Sequence, residues 1–336
     1  MEIAVQTANP YTVYVERGAA KRLDELCLGY HKVCLVVDQN VYDLYSEELP
    51  SLTSETYTFV LPSGESNKNL TQYARLLSYL AANRFDRKDA LVALGGGVTG
   101  DLTGFAAATY MRGIDWIGVP TTLLSMVDSS VGGKTAVDLA EGKNLVGAFW
   151  QPKAVLIDPD YLVSLPEAER KNGMGEVIKY ACLMGGDAGK AILAGELPTD
   201  RLIAACVQYK ADVVRQDELD KGVRATLNLG HTLGHAIEQL SAYSVPHGTA
   251  VAMGLGIVAR SAYDKGRLNK RDFEAIEIAL EELCVPQVPY TIPQLCRQAL
   301  HDKKVEGSTL HLIDIFGLGD CRIVDIPADR LEDYLC

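Results

Sequence analysis

The sequence lacks the features of a membrane or secreted protein. No apolar run among its 336 residues approaches the roughly 20 residues of a membrane span, and its first residues do not resemble a secretory signal peptide. None of the eight cysteines forms a Cys-x-x-Cys pair, and most lie in apolar segments, which favours reduced thiols over disulfides. We therefore expect a cytoplasmic protein with no membrane partner.

Positive charge is also scarce. Lys and Arg number 32 against 44 Asp and Glu, which gives a net charge of -12, and no basic cluster stands out. This balance argues against a nucleic-acid partner, although local lysines and arginines can still line a pocket for a small anion. Hydrophobic residues make up 48%, which is typical of globular proteins, and the length favours two domains.

Short apolar runs alternate with helical patterns in the first half of the chain. Strands are predicted at residues 34–37, 56–61, 91–94, 116–119 and 154–157, with helices at 41–48 and 70–82. This alternation predicts an α/β domain with a parallel sheet and helices on both faces. Ligands of such sheets bind beyond the carboxyl ends of the strands.

A glycine run follows the third predicted strand. Residues 95–101 read Gly-Gly-Gly-Val-Thr-Gly-Asp and open a helix. Glycines let the backbone approach a phosphate, and the start of a helix offers free N–H groups. The run lacks the G-x-G-x-x-G fingerprint, so a tight turn without a ligand is the alternative. Asp38, Glu65 and Lys68, after other strands, could hold a ribose or adenine, or be ordinary helix caps and loop charges.

A second glycine-rich run ends at Lys134. The Gly-Lys-Thr sequence there is like the end of a P-loop, but Asp128 stands where the motif requires glycine, so we exclude an ordinary triphosphate site. Lys134 and Lys143, which we expect in glycine-rich loops, suit a phosphate or carboxylate ligand. The alternative is that both are solvated loop lysines.

Residues 224–247 hold three of the chain's six histidines. In one continuous helix, the spacing i, i+4, i+7 and i+11 places four polar side chains on one narrow stripe: Arg224, Asn228, His231 and His235. The opposite side is apolar, so the helix is expected to dock by that side. Gly230 and Gly234 flank the stripe and indicate the close approach of another backbone or of a ligand.

Two interpretations of this stripe stay open. It can be a solvated polar face, because Glu238 and Gln239 lie on it as well. Alternatively, two histidines on a helix and His247 in a nearby Pro-His-Gly turn can form a metal site, if a carboxylate arrives from elsewhere.

Helical patterns dominate the second half of the chain. A capping box with proline starts a helix at residues 164–167, so we divide the chain into an α/β domain (1–163) and a mostly α-helical domain (164–336). Glu176 and Lys179, at i and i+3, can form a surface ion pair. Their apolar neighbours also allow an inward pair, which makes Glu176 the candidate for the missing carboxylate. Lys210 lies in another predicted helix.

Together these motifs resemble the 3-dehydroquinate synthases, within the sugar-phosphate cyclases. The matching segments span nearly the whole chain: residues 38–41, 62–68, 95–101, 111–113, 120–122, 128–134, 143–144, 176–179, 224–235, 246–248 and 302–304. One departure is Asp220, where the family commonly has glutamate.

The resemblance implies NAD and a divalent metal, zinc or cobalt, as cofactors. It implies that the metal is bound by Glu176, His231 and His247, with His235 facing the substrate. The residues implied for NAD are Asp38, Glu65, Lys68, Gly96, Gly97, Val98, Asp101, Thr121, Thr122 and Lys143.

The resemblance also implies a substrate pocket for a small sugar-acid phosphate. The implied catalytic and substrate-binding residues are Lys134, Asn144, Lys179, Lys210, Arg224, Asn228, His235 and Asp128. Arg112 resembles an arginine that the family contributes across a homodimer interface. One of Lys303 and Lys304 is also expected to reach the substrate.

The implied reaction converts 3-deoxy-D-arabino-heptulosonate 7-phosphate to 3-dehydroquinate in the shikimate pathway. Three alternatives are a net NAD-dependent dehydrogenase, a cyclase for another sugar phosphate, and a protein that binds a metal or sugar phosphate without turnover. Accumulation of NADH would favour the dehydrogenase, and any turnover would exclude the binding protein. Lys134, Arg112 and the Asp-Lys-Lys cluster at 302–304 favour the heptulosonate over other cyclase substrates.

Overall fold

A computed structural model describes residues 1–300, 305–306 and 309–336 of the chain. The chain divides into two compact units. The first comprises Met1–Pro166 and Lys210–Leu219, and the second comprises Glu167–Tyr209 and Asp220–Cys336. Within the described ranges, no helix has both the length and the apolar character needed to cross a membrane.

The first unit is built from strands and short helices. Its strands are β1 (Glu2–Val5), β2 (Tyr11–Val15), β3 (Lys32–Asp38), β4 (Glu55–Leu61), β5 (Ala90–Gly95), β6 (Asp115–Pro120), β7 (Lys134–Leu139), β8 (Gly142–Phe149) and β9 (Ala154–Ile157). Its α-helices are α1 (Leu23–Cys27), α2 (Gln39–Tyr45), α3 (Leu70–Ala82) and α4 (Gly97–Thr109).

Seven of these strands form one sheet in the order β1-β2-β9-β6-β5-β3-β4. All neighbours pair in parallel except β1 and β2, which are antiparallel. The predicted parallel sheet is therefore confirmed, and each of the five predicted strands is present. The hairpin of β1 and β2 was not predicted, because its short strands lack a long apolar run.

The sheet is covered on both faces, as the alternation of strands and helices predicts. Successive residues of a strand point to opposite faces, so Cys34 and Val36 pack with Leu76 of α3 and Leu102 of α4. Their neighbours on β3 pack on the other face, with residues of α1 and α2. The buried strands hold the sheet edge at Gly95 and Pro120 in a fixed position.

The two lysines that we expected in glycine-rich loops lie in strands instead. Lys134 is the first residue of β7, and Lys143 is the second residue of β8. The two strands form a separate antiparallel hairpin. Thr135 of β7 packs against Gly104 of α4, and Val137 joins the core with Leu102, so the segment gains burial as a strand that it would lack as a loop.

The second unit is mainly helical. Its helices are α5 (Glu167–Met184), α6 (Gly186–Leu193), α7 (Thr199–Gln216, whose last residues belong to the first unit), α8 (His231–Leu240), α9 (His247–Asp264), α10 (Lys270–Glu282), α11 (Ile292–Ala299) and α12 (Leu331–Leu335). A three-stranded antiparallel sheet follows: β10 (Val305–Glu306), β11 (Thr309–Gly317) and β12 (Asp320–Pro327).

The prediction of one continuous helix through residues 224–235 is wrong. Val223–Asn228 is a 3₁₀ helix, the chain turns at Gly230 with a φ of 77°, and α8 begins at His231. The reason is the close approach of α9, because a Cβ at Gly230 would lie 2.7 Å from Val251 O. The left-handed turn needs glycine, and it separates the polar stripe into two segments.

Glycines let three helices of this unit approach one another closely. A Cβ on Gly254 of α9 would lie 2.2 Å from Gly230 O, and one on Gly175 of α5 would lie 1.9 Å from Gly248 O. The predicted close approach of another backbone at Gly230 and Gly234 is thus confirmed. It brings the first residues of α8 and α9 beside the middle of α5.

Candidate active site

Three potential metal donors meet in the second unit. Glu176 lies in the middle of α5, whereas His231 and His247 are the first residues of α8 and α9. Both histidine Nε2 atoms face the same carboxylate oxygen, Glu176 Oε1, at 3.4 Å from His231 and 3.2 Å from His247. One ligand atom from each residue lies within 4.8 Å of the others.

The remaining polar atoms of these residues are held by the protein. His231 Nδ1 lies 3.1 Å from Leu229 O, and a carbonyl only accepts, so Nδ1 carries the hydrogen. His247 Nδ1 lies 3.0 Å from Glu238 Oε2, and an ionised carboxylate likewise accepts. Lys179 Nζ lies 2.5 Å from Glu176 Oε2. These contacts direct both Nε2 atoms and Oε1 to one point, as partners behind metal ligands commonly do.

This donor set fits a divalent metal. Nitrogen and oxygen ligands of zinc lie about 2.1 Å from the metal, so tetrahedral neighbours are about 3.4 Å apart. The distances of 3.2 and 3.4 Å from Oε1 to the two nitrogens match that spacing. Two histidines and one carboxylate also leave a coordination position for a substrate oxygen.

The same contacts raise the affinity of His247 for a proton. Burial lowers the pKa of His247, but hydrogen bonds to Glu176 and Glu238 outweigh it and raise the pKa to about 10. A metal ion binding at Nε2 would therefore displace a proton.

His235 belongs to a second group of residues that could bind a metal ion. Its ring centroid lies 5.5 Å from that of His231 and 6.0 Å from that of His247, and His235, Glu238 and His247 could also share an ion. The first group is the better metal site. In the second group, Glu238 would have to give up the hydrogen bond that it accepts from His247 Nδ1 in order to bind a metal.

Other predicted substrate residues of this unit lie near the start of α8 in sequence. Arg224 is buried and Asn228 is partly buried, and both lie in the 3₁₀ helix before Gly230. Lys179 is fully buried against Glu176 rather than exposed on the surface of α5. Lys303 and Lys304 lie outside the described residues.

The predicted cofactor residues other than Lys143, which lies on β8, follow the carboxyl ends of β3 to β6 in the first unit. The glycine run ends β5 and starts α4, whose N-terminal N–H groups point to this edge. A Cβ on Gly95 would lie 2.9 Å from Asp38 Cβ, and one on Gly96 would lie 3.1 Å from Thr122 Cγ2. Thr121 directly follows β6, and its backbone N–H donates a hydrogen bond to Gly95 O.

Between these elements lies a narrow pocket in the first unit. Its lining includes Gly95, Gly96, Asp101, Ser129 and Lys134. Gly97 and Val98, which were also predicted to bind the cofactor, form the first turn of α4. A pocket at the carboxyl edge of a parallel sheet beside a helix start is a common site for nucleotide phosphates.

Lys68 is enclosed by carboxylates in the same unit. Its Nζ lies 3.1 Å from Glu65 Oε1, 3.2 Å from Asp101 Oδ2 and 3.9 Å from Asp138 Oδ1. Burial lowers the pKa of the lysine, but the three carboxylates raise it overall. Burial also raises the pKa of Asp101 to about 6, although Lys68 opposes that shift. Lys143 Nζ lies 3.9 Å from Glu65 Oε1.

The buried Lys210 forms an ion pair with the partly buried Asp128 in the first unit. Lys210 Nζ donates to Asp128 Oδ1 at 2.6 Å and to Asp128 O at 2.7 Å.

The other predicted site residues of the first unit lie outside these clusters. The exposed Lys134 follows Gly133, whose φ of 70° is left-handed. Arg112 is exposed and also left-handed, with a φ of 67°, and Asn144 lies beside Lys143 on β8.

Two residues of these clusters were missed by the sequence patterns. Glu238 was assigned only to a solvated face, yet it is buried and contacts His247. Its position seven residues after His231 puts it on the same helical face, which is the pattern that could have identified it. Asp138 gave no such indication, because Lys68, the cation of its cluster, is distant in sequence.

Two family models match consecutive parts of the chain. The model described as 3-dehydroquinate synthase N-terminal matches residues 58–172, and the C-terminal model matches 173–305. A 3-dehydroquinate synthase from Pelobacter propionicus is 40% identical over 341 residues, covering 96% of this chain and 95% of the relative.

Two solved structures share the fold of this chain. A 2-deoxy-scyllo-inosose synthase complexed with carbaglucose-6-phosphate, NAD+ and Co2+ has a TM-score of 0.85 at 24% identity, covering 100% of this chain and 99% of that one. The 2-epi-5-epi-valiolone synthase of Streptomyces hygroscopicus subsp. jinggangensis, with NAD+ and Zn2+ bound, also has a TM-score of 0.85 at 24% identity, covering 100% and 98%.

Proposed function

Because the chain belongs to the 3-dehydroquinate synthase family, we propose that it converts 3-deoxy-D-arabino-heptulosonate 7-phosphate to 3-dehydroquinate and inorganic phosphate. The observation that carries this proposal is the convergence of His231 and His247 on one buried oxygen of Glu176. It supplies the metal-type site that an enzyme handling a polyhydroxylated substrate needs.

The proposed reaction is a phosphate-eliminating, carbocycle-forming lyase step of the shikimate pathway. A secondary hydroxyl is oxidised to a ketone, which acidifies the adjacent C–H so that phosphate can leave by β-elimination. The ketone is then reduced, the ring opens, and an intramolecular aldol reaction closes the carbocycle. When bound, NAD would accept and return the hydride, and zinc or cobalt would polarise the substrate hydroxyls.

Support for both cofactors comes from this chain's own residues and from the two structures described above. Glu176, His231 and His247 would hold the metal, with spacing that fits it. The 2-deoxy-scyllo-inosose and 2-epi-5-epi-valiolone synthases contain NAD+ with Co2+ or Zn2+.

We assign NAD binding to a domain comprising residues 1–163. The glycine turn would let the cofactor phosphates approach the N–H groups at the start of α4. Asp38, at the end of β3, accepts from Ser63 Oγ and Asn40 N, so its carboxylate is fixed beside the turn. The proposed residues are Asp38, Glu65, Lys68, Gly96, Gly97, Val98, Asp101, Thr121, Thr122 and Lys143.

We assign metal and most substrate contacts to the domain comprising residues 164–336. Cationic side chains suit the carboxylate and phosphate of the substrate, because charge-assisted hydrogen bonds are strong and directional. Asp128 would orient Lys210 through the contacts at 2.6 and 2.7 Å. The proposed substrate residues of both domains are Lys134, Asn144, Lys179, Lys210, Arg224, Asn228 and His235.

A homodimer and a cytoplasmic location complete the proposal. Arg112 would act across the dimer interface, and its exposed position leaves it accessible to a second copy. Cys27, Cys34, Cys182 and Cys296 are buried free thiols, in keeping with a reducing compartment.

The experiment follows phosphate and NADH together. The protein is incubated with the heptulosonate phosphate and catalytic NAD, with and without a chelator and added zinc. We expect phosphate release that requires both NAD and metal, with no net NADH. Accumulating NADH without phosphate would instead indicate a dehydrogenase, and absence of turnover with every metal would disprove the proposal.

A further inference from the structure

The hairpin of β7 and β8 is irregular at the point where it carries two proposed site residues. Val137 pairs with Val146, and Leu139 pairs with Gly142, so the register shifts between these pairs. Three residues of β8 therefore stand opposite one residue of β7, which is Asp138. Such bulges redirect side chains and often lie beside active sites.

The side chain of Asp138 closes this bulge. Its Oδ1 accepts the backbone N–H of Asn144 at 2.7 Å. Asn144 has a φ of 55°, a left-handed conformation that costs free energy for a residue other than glycine and persists only where its surroundings hold it. The hydrogen bond from Asn144 to Asp138 supplies such a restraint at that residue.

Asp138 also joins the hairpin to the Lys68 cluster. Its backbone N–H donates to Lys68 O at 2.7 Å, and it forms an isolated parallel bridge with Asn69. Its Oδ1 lies 3.9 Å from Lys68 Nζ, a distance that gives charge attraction but no hydrogen bond. The bulge is thereby fixed to the segment that carries Glu65 and Lys68.

We propose that Asp138 is a positioning residue that holds Lys143 and Asn144 where they bind cofactor and substrate. This inference rests on the proposed function of those two residues. Asp138 acts through the N–H of Asn144 and through its backbone link to Lys68, and it needs no contact of its own with either ligand. The attraction between Asp138 and Lys68 at 3.9 Å has no hydrogen-bond geometry, so the hydrogen bond from the Asn144 N–H is the contact that orients the hairpin residues.

Two substitutions separate the hydrogen bond from the charge. Asp138→Asn keeps an Oδ1 acceptor for the N–H and loses only the charge, whereas Asp138→Ala loses both. The matched control is Glu141→Ala, which removes an exposed carboxylate from the turn of the same hairpin. NAD affinity is measured by quenching of Trp116 and Trp150, the two tryptophans of the chain, and turnover by phosphate release.

We expect Asp138→Ala to weaken NAD binding and lower kcat by roughly tenfold each, because the hydrogen bond that restrains Asn144 is lost. Asp138→Asn and Glu141→Ala should stay within about threefold of the unaltered protein. Hydrogen exchange of the hairpin peptide should accelerate in the alanine variant alone, whether or not substrate is present.

Three results would overturn the role of Asp138. One is an alanine variant with unaltered NAD affinity, turnover and exchange. Another is an asparagine variant as impaired as the alanine variant, which would make the charge the important property. A third is equal damage by Glu141→Ala. An unaltered protein that neither binds NAD nor releases phosphate would instead refute the proposed function, and with it the ligand roles of Lys143 and Asn144.

Discussion

Each unit places carboxylates around a buried lysine, but the two clusters differ in what else those carboxylates face. In the first unit Glu65, Asp101 and Asp138 surround Lys68, so the chain itself supplies the positive charge. In the second unit Lys179 forms an ion pair with one carboxylate oxygen of Glu176, and the other oxygen faces the nitrogens of His231 and His247.

This difference predicts different responses to substitution. The first cluster needs no cation from solution, so changes in it should affect stability and the pH dependence of stability, and should leave metal affinity unaltered. A cluster whose donors face one point is suited to a cation from solution, so its changes should appear in metal affinity and turnover. Substitutions in each cluster and in the helices that carry the donors test that distinction.

The largest effect is expected for Glu176→Gln. The variant keeps the size of the side chain but removes a charged donor, and we expect the affinity for zinc and the rate of phosphate release to fall by at least about a thousandfold. Metal affinity is measured by competition with a chelating dye. Quenching of tryptophan by NAD should be unaltered, because both tryptophans and the proposed NAD residues belong to the first unit.

The control for this change is Glu169→Gln, which alters an exposed glutamate on the same helix. It should keep zinc affinity and turnover within about twofold of the unaltered protein. A Glu176→Gln variant that retains both would show that the donor cluster does not bind the catalytic metal.

The sequence predicted the central sheet well, because its strands are continuous apolar runs separated by helical segments. Residues 70–82 were predicted as a helix, and the helix occupies the same residues. The β7–β8 hairpin was missed because no residue of β8 is fully buried and only the middle of β7 is, so the pattern of the segment does not differ clearly from that of a glycine-rich loop.

The sequence predicted the residue types of the donor cluster better than their arrangement. Spacing placed His231 and His235 on one helix face, but the break at Gly230 depends on the approach of α9, which no local pattern encodes. Glu176 could be proposed only as a carboxylate from elsewhere. The contact between Glu238 and His247 joins two helices across a turn, and periodicity within one helix cannot reveal it.

The next effect tests the close approach of the helices that carry the donors. Gly254→Ala would place a Cβ 2.2 Å from Gly230 O and 2.8 Å from Gly234 N, so the backbone of α8 or α9 must move. We expect the free energy of unfolding to fall by about 3 kcal/mol and the zinc affinity to fall with it, since His231 and His247 begin these helices. Chemical denaturation and the dye competition measure the two quantities.

Gly256→Ala is the matched control, two residues further along α9. Its Cβ would meet only the flexible end of Leu280, at 3.3 Å, and alanine favours a helix more than glycine does. Stability should therefore change by less than about 1 kcal/mol. Equal losses in the two variants would mean that the contact at Gly230 is not what limits the packing.

The Lys68 cluster should respond through pH instead. Burial raises the pKa of Asp101 from 3.8 to about 6 in the folded protein, so ionisation of Asp101 opposes folding. The resulting loss of unfolding free energy is absent below pH 3.8 and reaches its full size above pH 6. Asp101→Asn removes this titration, and between those pH values the unaltered protein should lose up to about 3 kcal/mol of unfolding free energy relative to the variant.

Urea denaturation at several pH values measures that difference. Asp43→Asn, which alters an exposed aspartate on α2, should leave the pH dependence of stability as it is in the unaltered protein. Parallel pH profiles for the unaltered protein and Asp101→Asn would contradict the effect of burial on Asp101. Zinc affinity should be the same in all three proteins, since none of these changes lies in the second unit.

The smallest effect is expected for Glu238→Gln, which alters a partner of a metal donor and leaves the donors in place. Glu238 Oε2 accepts from His247 Nδ1, which directs Nε2 to the common point and makes it a stronger ligand. An amide accepts more weakly, and we expect zinc affinity to fall by 10- to 100-fold. The visible absorption spectrum of bound Co2+ reports the number of its ligands. It should be unaltered in Glu238→Gln, whereas Glu176→Gln should change it.

Glu281→Gln, at an exposed position of α10, serves as the control for Glu238→Gln. Unaltered zinc affinity in Glu238→Gln would mean that the start of α9 alone orients His247, and the contrast between the two clusters would then rest on Glu176 and the two histidines.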